Sequence, residues 1–315
     1  MTGAPPVLRS LHVAAMPFPS PQGTQAAVRA MVEAVAEHGG ETTLVTYPYG
    51  TRPAGPFPFR WLRLRDVPRV RSMRSGPSLG KIALDAQLVH RLRAWTRRMR
   101  PDLVVAHHVE AAAAAVMAGT RPVIYAAHTA LGPELPAYLP RVLAPAGAAA
   151  GRILERWVAR SASAVAAIAP ALDHHLRALG VGHVHAWPLP WRVPSPLARP
   201  ERERARRALG LDPAGEVGLY TGNLDAYQGW RALVGALTRP GAARARLLVA
   251  TASDPAPLWA EARQAGVAER ITVAGLADEA ARRAAHAAAD LALVPRRIPG
   301  GIPVKLLDAL ARGVP

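Results

Sequence analysis

The sequence predicts an α/β protein built from two successive doubly wound units, and three observations predict it. Short apolar runs alternate with longer stretches of helical periodicity along most of the 315 residues. That alternation argues for parallel sheets covered by helices on both faces. The pattern breaks at "WPLPWRVPSPLARP", with five prolines from Pro188 to Pro200, and then restarts. A proline-rich segment of this kind is a stiff, extended connection. Half of the residues are hydrophobic, enough for a core in each unit.

In the first unit the apolar run at 8–15 reads as a strand. Residues 25–37 read as an amphipathic helix with Ala27, Met31 and Val35 on one face, and 42–46 as a second strand. Leu84, Leu88, Leu92, Trp95 and Met99 recur at helical spacing and predict a helix over 81–100. Strands are expected at 103–106, 123–126, 164–168 and 184–187, with alanine-rich helices between them. After the prolines, strands are expected at 216–220, 247–250, 271–274 and 291–294, and a last helix at 305–312 stops at Gly313. The domain reading is 1–187, a linker over 188–200, and 201–315. The second unit has about four strands, and "VP" after Gly313 reads as the opening of another, so a C-terminal domain cut short is expected.

Composition narrows the chemistry. There is no cysteine, so disulfides and thiolate chemistry are excluded, which fits a cytoplasmic protein. No run of 18 uncharged apolar residues occurs. The net charge is +17. From Arg52 to Arg100, 13 basic residues face only Asp66 and Asp85. Most of this stretch reads as the solvated side of a core helix. Its functional reading is an anionic membrane surface rather than nucleic acid, because no aromatic side chains are interleaved as a base-stacking platform.

Ligands of doubly wound sheets bind at the carboxyl ends of strands, often on helix N-termini. Three loops occupy such places. "PFPSPQGTQ" sets Gly23 between the first strand and first helix. "YTGNLDAYQGW" sets Gly222 and Asn223 at a strand end and Gln228 before the next helix. "PRRIPGGIPVK" brings Arg296, Arg297, the open backbone of Gly300 and Gly301, and Lys305 to the start of the last helix, with Pro303 expected at its first position. Guanidinium and ammonium groups beside free N–H groups suit a diphosphate. The bland alternative for each loop is an ordinary turn or a solvated basic segment.

His128 follows a strand directly, with Glu134 six residues on. His107-His108, His174-His175 and His183/His185 lack carboxylates at a ligand spacing, so no metal site is expected. A structural histidine is the commoner reading of His128 taken alone.

These stretches together resemble the family-four-type, or group 1, glycosyltransferases of the GT-B fold, two Rossmann-like domains. The residues that carry the resemblance are "PSPQGTQAAVRAMVEAVAEHGGETTLVTY", "PDLVVAHH", "YAAHT", "YTGNLDAYQGW" and "ADLALVPRRIPGGIPVKLLDALARGVP". The resemblance implies a retaining, metal-independent transfer of a sugar from a nucleotide-sugar donor, with no further cofactor. Gly23 would lie near the donor diphosphate and acceptor, and His128 would touch the donor sugar. Gly222 matches the glycine of a Gly-Arg pair, and Asp308 the second carboxylate of a paired-glutamate motif that holds the nucleotide ribose.

The sequence departs from the family's pattern at three places. Asn223 and Gln228 stand where the family commonly has arginine and lysine, and Gly300 stands where the first glutamate would fall. Arg296, Arg297 and Lys305 would then supply the positive charge. The acceptor is not named by the sequence; a lipid-linked or cell-envelope acceptor at the inner face of a membrane is expected from charge and family habit. Two other readings stay open: a non-catalytic GT-B-like binding protein or inactive fragment, and a sugar-nucleotide epimerase.

Overall fold

The computed structural model describes residues 7–20, 23–51, 55–67, 76, 78–276, 278–296 and 301–315. The chain divides into two compact units. The first holds Met1–Ser20, Thr24–Pro190 and Pro299–Ile302; the second holds Pro21–Gly23, Trp191–Ile298 and Pro303–Pro315.

The first unit carries a seven-stranded parallel sheet in the order β3-β2-β1-β4-β5-β6-β7. Its strands are β1 (Arg9–Ala14), β2 (Glu41–Thr46), β3 (Arg60–Arg63), β4 (Leu103–His107), β5 (Val123–Ala127), β6 (Ala164–Ala167) and β7 (Val184–Ala186). Its helices are α1 (Gly23–Glu37), α2 (Leu79–Met99), α3 (His108–Met117), α4 (Leu131–Glu134), α5 (Ala144–Ser161) and α6 (Pro170–Ala178). The strand order reverses between β1 and β4, the position where doubly wound sheets open a crevice for ligands.

Strand alternation sorts the core into two faces. Leu11 and Val13 of β1 pack with Leu84, Leu88 and Leu92 of α2. Ala14 and Met16 pack with Val28 and Val32 of α1. Helix α2 is opened by Ser78, whose Oγ accepts from the Lys81 amide at 3.3 Å, and is ended by Arg100 in the left-handed region.

One element departs from the sequence expectation in kind. Residues 60–63, read there as part of a basic stretch, form the edge strand β3, paired with Thr43–Thr46 of β2. An Arg-Trp-Leu-Arg run has little strand signal of its own, and the open edge of β2 decides it. Trp61 secures the edge by donating from Nε1 to Thr46 Oγ1 at 2.9 Å. Arg52, Arg69, Arg71 and Arg74 of the basic stretch lie outside the described residues.

The second unit repeats the winding with four parallel strands in the order β10-β9-β8-β11. These are β8 (Glu216–Thr221), β9 (Ala245–Ala250), β10 (Ile271–Ala274) and β11 (Leu291–Ala292). The helices are α7 (Arg199–Ala208), α8 (Arg231–Leu237), α9 (Ala256–Gln264), α10 (Glu279–Ala288) and α11 (Val304–Ala311). Val217, Leu219, Leu248 and Ala250 face α10 and α11 through Ala285, Ala288 and Ala309. Tyr220, Leu247 and Val249 face α8 and α9 through Trp230, Val234, Leu258 and Ala262.

Strand β11 is shorter than the expected 291–294, because Pro295 has no N–H with which to extend a ladder. Its entry is fixed by Asp290, which accepts from the Val217 amide and from the buried Arg206 guanidinium, each at 2.7 Å. Val314 is buried, and the Pro315 carbonyl accepts from the Ala292 amide at 2.7 Å, so 314–315 run beside β11. Pro303 stands at the N-cap of α11 rather than at its first helical position.

Candidate active site

In the second unit the order reverses between β8 and β11, and the loops after these two strands carry Gly222, Asn223, Gln228 and Arg296 of the expected donor-binding residues. The β8 loop is held down by its own side chains. Trp230 Nε1 donates to the Leu224 carbonyl at 2.7 Å, and the Leu224 amide donates to Ser253 Oγ at 3.2 Å. Gly229, at φ +74°, passes so close to Pro295 that an added Cβ would lie 2.6 Å from its carbonyl oxygen. The two loops are thereby packed together within the unit.

Lys305, one residue into α11, reaches back over this loop. Its ammonium donates to Gln228 Oε1 at 3.0 Å and lies 4.2 Å from the centre of the Tyr220 ring. Gly222, at φ +131°, makes room: a Cβ there would stand 2.9 Å from Lys305 Nζ. Tyr220 is held by its hydroxyl, which donates to the Asn223 carbonyl at 2.5 Å. Arg296 lies with its guanidinium carbon 5.5 Å from the Tyr227 ring centre. Among the described residues, its buried Nε and Nη2 atoms have no hydrogen-bond acceptor, and the buried Asn223 Oδ1 has no donor.

The electrostatics follow from that packing. Burial, and secondarily the charge of Arg296, bring Lys305 down to about 8. The partners of Lys305 are a neutral amide and an aromatic face, so neither compensates its charge. Buried donors on an arginine with no acceptor are costly unless a ligand satisfies them. The arrangement can bind an anion, and a diphosphate has the oxygens to occupy both cations.

Asp308 lies apart from this cluster in its bonding. It is buried, accepts from Arg312 Nε at 3.1 Å, and has His286 Nε2 at 3.6 Å; Arg312 in turn donates to Glu279 at 2.5 Å. Arg297 and Gly300 lie outside the described residues. Gly23 is the first residue of α1.

In the first unit His128 is buried just beyond β5, and it does not stand alone. His107 Nδ1 and His128 Nε2 are 3.0 Å apart, and His12 Nδ1 and His107 Nε2 are also 3.0 Å apart. His108 stacks on His128 with ring centres 4.9 Å apart at 19°. Burial holds His12 at about 3, and burial together with neighbouring imidazoles holds His107 and His128 well below the usual range. All three rings are therefore neutral at pH 7.

Gly301 also belongs to this unit, and a Cβ on it would overlap the carbonyl oxygen of His128. Among the described residues, no three His, Asp or Glu side chains are disposed to hold a metal ion. His12, Tyr220 and Tyr227 carried no expectation from the sequence, and His107 was weighed there only as a metal ligand and set aside. The available signal was a histidine on or beside each of three strands, β1, β4 and β5, which the sheet order makes neighbours.

Comparison with known proteins agrees with this architecture. Residues 22–190 match the glycosyl transferase 4-like domain, and residues 215–315 match the glycosyl transferases group 1 domain. No curated protein sequence matches the chain. Among solved structures, sucrose-phosphate synthase from Thermosynechococcus elongatus is similar, with a TM-score of 0.75 at 18% identity, over 98% of this chain and 80% of that one. Anabaena HepE, in complex with UDP and glucose, has a TM-score of 0.69 at 16% identity, over 98% and 79%. WaaG, a glycosyltransferase involved in lipopolysaccharide biosynthesis, has a TM-score of 0.69 at 16% identity, over 97% and 80%. With both of its units matched in order, the chain belongs to the group 1 glycosyl transferases and is a glycosyltransferase of the GT-B fold.

Proposed function

We propose that the protein transfers a sugar, with retention of configuration and without a metal, from a nucleotide-sugar donor whose diphosphate binds to Arg296 and Lys305. The observation that carries this reading is the buried guanidinium edge of Arg296, without a hydrogen-bond acceptor among the described residues, beside the ammonium of Lys305, whose partners there are neutral. In the reaction the bond from the anomeric carbon to the phosphate oxygen breaks. The acceptor oxygen bonds to the same face of that carbon, and the acceptor's hydroxyl proton passes to the leaving phosphate. Charge grows on the diphosphate as the bond breaks, and two fixed cations in a sheltered site favour that state over the ground state. HepE, crystallised with UDP and glucose, has this fold and supports a donor of the same class.

The acceptor is proposed to be lipid-linked or of the cell envelope, met at the inner face of a membrane. Among the described residues, no helix is long and apolar enough to cross a membrane. A peripheral contact has a better candidate surface on α5 than on the arginines of α2. Ile153 and Trp157 are exposed one turn apart on α5, at 70% and 42%, and the exposed Arg152 and Arg156 alternate with them. An aromatic and an aliphatic side chain between guanidinium groups suit the headgroup region of an anionic bilayer. Co-sedimentation with anionic vesicles should be lost in Ile153→Ser/Trp157→Ser; binding unchanged in that variant would remove α5 from the account.

The experiment that tests the enzymatic reading is release of nucleoside diphosphate from a panel of UDP-, GDP- and ADP-sugars, with the product's anomeric configuration read by NMR. Turnover with inversion would overturn retention. A second reading, a GT-B protein that binds without transferring, is favoured by the engagement of Asp308 with Arg312, which competes with a ribose. Donor binding without turnover, in the presence of lipid extracts and simple glycosides as acceptors, would select it.

A further inference from the structure

The three histidines lie on a staircase. In the sheet, Ala14 pairs with His107, two residues beyond His12; His107 pairs with Ala126, two residues before His128. Side chains two apart on a strand share a face. Each imidazole therefore stands beside the next and one step nearer the carboxyl ends of the strands, where ligands of such sheets bind. The rings are 0%, 0% and 3% exposed, so water does not interrupt the series.

Proton counting limits what the series can be. Three neutral rings carry three N–H groups, and two hydrogen bonds use two of them. The third N–H must sit at one end, on His12 Nε2 or on His128 Nδ1. Both nitrogens are buried, and neither has a hydrogen-bond partner among the described residues. His12 Nε2 lies in the middle of a central strand, where an N–H would stay without an acceptor; a lone pair left there costs less. His128 lies just past the end of β5, where a bound ligand can bring an oxygen.

We propose that His12 and His107 are positioning residues that set the tautomer of His128, so that His128 presents an Nδ1–H donor to an oxygen of the bound sugar. The sugar as ligand rests on the reading of His128 given by the family resemblance; the tautomer assignment does not. Every ring in the series is then in the Nδ1–H form, which is the minor form of neutral imidazole in water. His108, stacked on His128, fixes the plane in which that N–H points.

The test is ¹⁵N NMR of the ring nitrogens in the 315-residue chain. The expected result is pyrrole-type Nδ1 and pyridine-type Nε2 for His12, His107 and His128. Nε2–H forms, or a mixture, would overturn the proposal whether or not the protein transfers sugar. His107→Phe keeps a ring but no donor, and should release His128 into a mixture and lower kcat by about tenfold. His107→Asn places an amide N–H near the lost Nδ1 and should restore both. A His128 tautomer unchanged by a folded His107→Phe would also overturn it; where a variant fails to fold, the wild-type spectrum decides. A protein without turnover but with the Nδ1–H series would contradict the transfer reading alone.

Discussion

Lys305 gives its ammonium to Gln228, a neutral side chain, at 3.0 Å, and no ion pair joins it to a carboxylate among the described residues. The lysine is thus held in place without being neutralised, and burial lowers it to about 8. The departure noted in the sequence, glutamine where the family commonly has a cation, becomes a support for a cation that arrives from α11.

A proton linkage follows. The free protein's Lys305 loses its proton as pH rises through about 8, whereas a bound diphosphate favours the charged form and raises that value. Binding should therefore take up protons above pH 8, and diphosphate affinity should fall as pH rises there. Calorimetry in two buffers of different ionisation enthalpy measures the uptake. Lys305→Met should abolish it.

Asp85 offers a stability prediction in the first unit. It accepts from the Tyr47 hydroxyl at 2.6 Å, and burial pushes it up to about 6, with Glu110 adding to the rise and Lys81 and the Tyr47 bond opposing it. The folded state then binds more protons than the unfolded chain between pH 3.8 and 6. Stability from this group falls as pH rises through that window, and the cost of the buried charge is complete above it. Asp85→Asn keeps an acceptor for Tyr47 without the charge. It should raise stability by about 1–2 kcal/mol at pH 7, with the gain shrinking toward pH 4, as read from thermal melts at both values.

Gly301 carries a packing constraint that a phosphate-loop reading alone would miss. A methyl group at this position meets the His128 carbonyl, which is backbone and cannot swing aside. Gly301→Ala should cost about 1–3 kcal/mol and perturb the His128 ring resonances. Gly275→Ala, where an added Cβ meets nothing within 4 Å, is the control and should change neither.

The strands were legible because their apolar runs need only their own residues to be recognised, as in 216–220 and 271–274. The edge strand β3 was not, since its pairing with β2 depends on a neighbour and its arginines mask the pattern. The residues proposed for the donor side could be placed near strand ends from Gly222 and Lys305, because glycine and charge mark such loops. Their actual bonds could not: that Lys305 rests on Gln228 and Tyr220 depends on the return of α11 across β8. The histidine series was written in the sequence as His12, His107 and His128, but only the strand register shows that they touch.

The central claim is that Arg296 and Lys305 form the diphosphate site, and titration calorimetry with UDP, GDP and ADP tests it most directly. The account predicts that one of these binds the wild-type chain, and that Arg296→Leu and Lys305→Met each weaken it by roughly tenfold or more, the equivalent of a lost charge-assisted hydrogen bond. Unchanged affinity in both folded variants, or no binding of any of the three to the wild type, would contradict it.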